Sequence, residues 1–167
     1  MKIKQNYLKV GLVLTALALL PLAYPAMAED QAPFKGVEVG AYTAGPFDFP
    51  FATVLNTGEG EATHLGHYSV TGSIVINLLS GAVTGTFTLT AANGDMLFLT
   101  LTGNAPPPSV KETVDNITVT GGTGRFEGAT GSWVSDSHFA FLFGETLSDP
   151  YVAILDGTIS TPGSNQK

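Results

Sequence analysis

Apolar and polar residues alternate with a period of two along most of this chain, and no stretch after residue 29 holds a 3.6-residue apolar period. A period of two puts successive side chains on opposite faces of a strand. The clearest case is Val83, Gly85, Phe87, Leu89 and Ala91 against Thr84, Thr86, Thr88 and Thr90. One apolar and one polar face is what a half-buried antiparallel strand requires. Asn93-Gly94 follows and predicts a two-residue hairpin turn, with Asp95 to Thr102 as the returning strand.

The same reading extends in both directions. Lys35 to Thr43 is a first strand, with Val37, Val39 and Ala41 set only roughly against Lys35, Glu38 and Gly40. Pro46, Pro50 and Gly58-Glu59-Gly60 enclose an irregular segment around Phe47, Phe49 and Phe51. Ala62 to Asn77 reads as one long strand, or two joined at Gly72. It places His64, Gly66, Tyr68, Val70, Gly72, Ile74 and Ile76 on one face. Pro106-Pro107-Pro108 is an exposed connection, because a proline run cannot join a ladder. Glu112 to Thr120 is a strand with Ile117 and Val119 facing in. Arg125 to Ser135 is another, then one in which Phe139, Phe141 and Phe143 alternate. In the last, Tyr151 to Ile159, the residues Tyr151, Ala153, Leu155 and Ile159 share a side. Closing so many antiparallel strands on themselves removes both exposed edges. The expected fold is all-β, a closed eight-stranded antiparallel barrel over residues 35–160, with a two-sheet sandwich as the second choice.

The amino terminus changes the remaining counts. Lys2, Lys4 and Lys9 precede an apolar run from Val10 to Leu20, then Pro21, Pro25 and Ala26-Met27-Ala28. This is the pattern of a secretory signal peptide over residues 1–28, cleaved before Glu29, and it predicts a secreted or periplasmic product. Residues 29–34 read as a loose start and 161–167 as a polar tail. Three of the seven basic residues and none of the fourteen acids fall within the signal, so the remainder carries a net charge of −10. Such a surface repels nucleic acid and anionic membranes. Contact with a membrane is expected through the signal alone. Without cysteine there are no disulfides, no thiolate zinc ligands and no cysteine nucleophile.

Gly121-Gly122-Thr123-Gly124-Arg125-Phe126-Glu127-Gly128-Ala129-Thr130-Gly131 is the densest glycine stretch of the chain. Glycine at this density lets backbone turn at positive φ or pass close to another strand. This stretch, with Gly60 to Gly72 and the run Thr86 to Asp95, is similar to bacterial secreted proteins carrying an allene oxide cyclase-like barrel domain. Its Gly-Gly-Thr-Gly-Arg-Phe element also resembles a loop of plant dirigent proteins. The resemblance implies an eight-stranded antiparallel barrel whose lumen can hold an apolar molecule. It gives Gly121, Gly122, Gly124, Arg125, Gly128 and Gly131 a structural role. Plant members of that superfamily guide cyclisation of a fatty epoxide or coupling of phenoxy radicals, and trimers occur among them, so a homo-oligomer is one expectation for this chain.

Candidate chemistry is sparse. His64, Tyr68 and Glu61 are the candidates for acid–base work in a lumen; a histidine hydrogen-bonded at a barrel mouth is the plainer role for His64. His64 and His67 fall on opposite faces of a regular strand, so no metal site and no cofactor is expected. Phe87, Trp133, Phe139 and Phe141 are the candidate lumen residues for a flat or fatty ligand, with Phe98, Phe126 and Phe143 as further rings; filling a solid barrel is their alternative use. Arg125, the only arginine, is expected to tie the glycine stretch to Asp115, Asp136 or another acid. A non-catalytic barrel binding a small apolar ligand, or serving the cell envelope, is the first expectation. A lumen-templated cyclase or isomerase is the second. A small outer-membrane barrel is the third, disfavoured by threonine faces that suit water.

Overall fold

The computed structural model describes residues 31–107, 109–140 and 148–160. The signal segment, the tail, Phe141 and Phe143 lie outside the described residues. Eight strands form one closed antiparallel barrel in simple up-and-down order. They are β1 (Ala32–Asp48), β2 (Phe51–Ala62), β3 (Gly66–Asn77), β4 (Ala82–Ala91), β5 (Met96–Asn104), β6 (Glu112–Gly122), β7 (Gly131–Phe139) and β8 (Ser148–Ile159). β1 closes the barrel on β8, from Ala32 opposite Ile159 to Thr43 opposite Ser148. The expected barrel is therefore present.

Its strands are not all where the alternation placed them. The segment read as irregular is β2, paired along its length with both neighbours. Ala62 ends β2, and residues 63–65 turn into β3. Residues 124–126 form a 3-10 turn rather than strand. β7 runs over Gly131–Phe139 rather than from Arg125 to Ser135, and the strand expected around Phe139, Phe141 and Phe143 lies mostly outside the described residues. β1 begins at Ala32, inside the stretch read as loose, and its Phe34 is fully buried. The Asn93-Gly94 turn has four residues between its strands, closed by Ala91 N–H donating to the Asp95 carbonyl at 2.9 Å.

The lumen is packed by a matching of rings to glycines. A Cβ on Gly72 would strike the Phe87 ring, and one on Gly60 would stand 2.6 Å from the Tyr68 hydroxyl. Tyr151 lies over Gly40 and Gly58, and Trp133 over Gly157. Each aromatic side chain takes the space its neighbour strand leaves, which is how a narrow barrel reaches close packing.

This half of the barrel is plugged. Leu65 from the β2–β3 turn and Phe126 from the 3-10 turn are buried over it, with Phe34 and Leu97 fully buried beneath. Phe34 and Trp133 stack at 4.2 Å between ring centroids. The opposite end, formed by the β1–β2, β3–β4 and β5–β6 connections, has no such cover among the described residues.

Candidate functional site

The inward face of β1 reads Phe34, Gly36, Glu38, Gly40 and Tyr42, while Val37 and Val39 point outward and are about half exposed. Glu38 is thereby the buried acid of the lumen. Its carboxylate accepts from the Tyr68 hydroxyl at 3.0 Å and from the Tyr151 hydroxyl at 2.5 Å. Asn56, on the inward face of β2, donates its Nδ2–H to the Tyr151 oxygen at 2.9 Å. Burial pushes the Glu38 pKa up from its ordinary 4.5, against the pull of the two tyrosine hydroxyls. The tyrosines respond in kind: burial and then the Glu38 charge push the Tyr68 and Tyr151 pKa values far up, so both hydroxyls stay protonated and donate.

Above this set, toward the open end, Tyr42 stacks on Tyr151 with centroids 4.6 Å apart and tilts against Phe139 at 5.6 Å. Asp115, inward on β6, is 7 % exposed. Burial raises its pKa, and the Thr113 side chain opposes that. Its Oδ1 has no hydrogen-bond partner, and it presses on Gly103, where any Cβ would collide with it. Tyr42 and Asp115 separate two spaces. Below them, among Glu38, Phe87 and Trp133, lies only about 30 Å³, room for one water. Above them opens a cavity of about 350 Å³ lined by Val54, Ile74, Ile76, Val83, Ala105 and Phe139, among others, with Tyr42 and Asp115 at its inner end. That volume lies at the lower end of the small-molecule range.

The rim of this cavity is stitched by backbone bonds. Leu78 N–H donates to the Pro50 carbonyl at 2.9 Å, Ala105 to Gly81 at 2.8 Å and Phe139 to Lys111 at 2.8 Å. Outside it stand Phe47, Phe49 and Leu79, each at least 66 % exposed.

The expected site residues divide accordingly. Tyr68 is in the lumen, bound to Glu38. His64 is not: it occupies the β2–β3 turn at φ +66° and is exposed. The turn breaks the continuous alternation that had put it beside Tyr68. Glu61 is on the outer face of β2, opposite His67 on β3. Phe87 and Trp133 fill the plugged half, and Phe139 lines the open cavity. Phe98 points outward and Phe126 belongs to the plug.

The glycine stretch forms the base of the barrel. Gly121, Gly124, Gly128 and Gly131 all have positive φ, and Gly122 is held against the Met96 carbonyl and Phe126. Arg125 reaches neither Asp115 nor Asp136. Its Nη2 donates to the Leu65 carbonyl at 2.9 Å and its Nε lies 3.7 Å from Asp95, so it joins three connections of the plugged end.

Glu38, Asn56 and Asp115 are the functional candidates that sequence reasoning missed. Asp115 shares the parity of Ile117 and Val119, and Glu38 that of Phe34 and Tyr42, so strict alternation did carry both. Among the described residues, no group of three or more His, Asp or Glu side chains is arranged to hold a metal ion. No family model matches the chain, and no curated protein or solved structure matches it either.

Proposed function

We propose that this protein is a secreted barrel of the allene oxide cyclase-like type that binds a small, mostly apolar molecule in the open half of its lumen. The observation that carries the reading is the 350 Å³ cavity with aliphatic walls and a polar inner end at Tyr42 and Asp115. Burying an apolar ligand against such walls gains about 25 cal/mol per Å² removed from water, and a preformed rim lowers the ordering cost of binding. The outward Thr and Ser faces of β3 to β6 suit water rather than lipid, which favours this reading over a membrane-spanning barrel.

Native mass spectrometry of the protein recovered from its own host tests it. The expected result is an added mass that is released on denaturation and is absent from the Ile74→Trp variant, whose ring occupies the cavity. A bare mass, together with no binding of any apolar probe to the purified protein, overturns it.

A second reading, a cyclase or isomerase that moulds its substrate, draws support from one feature. A buried carboxyl with a raised pKa at the inner end of an apolar-walled cavity is suited to lend and recover a proton. In that case Asp115→Asn retains ligand and loses turnover.

A further inference from the structure

We propose that the cavity selects amphiphiles whose polar head donates hydrogen bonds, such as long-chain primary amines and alcohols, and discriminates against carboxylates. This inference rests on the ligand-binding reading above and names the class of ligand.

Asp115 is 93 % buried and stands at the inner end of the cavity, with its Oδ1 turned against Gly103 and the rest of its carboxyl left to meet a ligand. A buried carboxyl is an acceptor that favours a hydrogen-bond donor on whatever group is brought against it. The next acid inward, Glu38, adds negative potential from behind Tyr42 and already takes both of its tyrosine donors. Asn56 has an unpaired buried Oδ1 as well, so the lumen has a surplus of acceptors.

No described cation offsets this. Lys35 pairs with Asp156 on the outer surface, and Arg125 is fixed at the plugged end. Lys111 stands at the open end but outside the cavity, with its Nζ donating to the Ala140 carbonyl. A carboxylate head driven inward meets the Tyr42 hydroxyl but also the Asp115 carboxyl with Glu38 behind it, and no described cation to offset their charge. An ammonium or hydroxyl head meets a fitting partner, while its chain lies among Val54, Ile74, Ile76 and Val83.

The test is calorimetric titration of the purified protein at pH 8 with decylamine, decanol and decanoate, repeated with Asp115→Asn. The amine and the alcohol are expected to bind at least tenfold more tightly than decanoate. In Asp115→Asn the amine should weaken at least tenfold and the gap to decanoate should close. Decanoate binding as well as decylamine overturns the proposal, as does an order of affinities that Asp115→Asn leaves unchanged. If decanoate binds best and Lys111→Ala abolishes it, the head faces outward and the proposal fails while the ligand-binding reading stands. If none of the three binds, both fail. A thermal melt of Asp115→Asn, expected at or above that of the parent at pH 8, guards against misreading a folding defect.

Discussion

The two ends of this barrel are built from the same alternating strands and come out differently. At the plugged end aromatic residues crowd inward glycines: the Tyr68 ring at Gly60, the Phe87 ring at Gly72, and the Cα and Cβ of Trp133 at Gly157. At the open end the inward residues are Val54, Ile74, Ile76 and Val83, and the rings there are Tyr42 and Phe139. Aliphatic side chains on facing strands stop short of the barrel axis, so the middle stays empty. Whether a lumen is filled or open is thus decided by which strand carries the ring and which the glycine at each level.

Mutation can break that contrast. The largest effect is expected from Phe126→Ala, which removes a fully buried ring from the plug. It should cost about 3–5 kcal/mol and lower Tm by roughly 10 °C, whereas Phe139→Ala at the open end should cost only about 1 kcal/mol while enlarging the cavity. Thermal melts of the two variants check this; equal losses would mean that the ends are not differently packed.

Next comes Glu38→Ala, which strips two buried tyrosine hydroxyls of their acceptor. Denaturant titration should show a loss of about 2–6 kcal/mol, from roughly 1–3 for each of the two unpaired groups. Glu38→Gln should lose clearly less.

A smaller effect concerns pH. The folded-state pKa values of Glu38 and Asp115 both lie above their ordinary 4.5 and 3.8. Above that range the native state holds more protons than the unfolded chain, so stability falls as pH rises. The melting temperature should be higher at pH 5 than at pH 8. Asp115→Asn should narrow the gap and gain roughly 1 kcal/mol at pH 8, since an amide carries no charge to desolvate. A gap unchanged in both Asp115→Asn and Glu38→Gln would count against the burial of these acids.

The smallest effect belongs to the exposed rim, where Phe49→Ser should shift stability by less than about 0.5 kcal/mol. A larger loss in a urea melt would show that the tip is packed on something.

Most of the wall was legible from alternation because β3 to β6 carry most of their apolar residues inward and many Thr or Ser outward, and β8 keeps Tyr151, Ala153, Leu155 and Ile159 inward. β2 was not, because it does the reverse: Asn56, Gly58 and Gly60 face in and Leu55 faces out. Its inward glycines make sense only once Tyr68 and Tyr151 from other strands lie over them, which is long-range information. The expected eight-stranded barrel is nevertheless the one found, although β2 was not among the strands read from the sequence. The site was less legible than the wall. Val37 and Val39 drew the eye to the wrong face of β1 and hid Glu38. His64 drew it to a turn, which a continuous period of two could not register.

The pairing of β1 with β8 has a kinetic side. It joins residues more than a hundred positions apart, from Ala32 with Ile159 onward. Until β8 is in place, β1 and β7 each present an unpaired edge, and the rings meant for the lumen face water. Contacts of such long range slow folding, toward the millisecond-to-second regime of β-rich domains. The chain passes that interval with the outward Val37 and Val39 of β1 beside an open edge, the arrangement most prone to pairing with a second chain. The species expected to associate is therefore one in which β1 has formed and β8 has not yet closed on it.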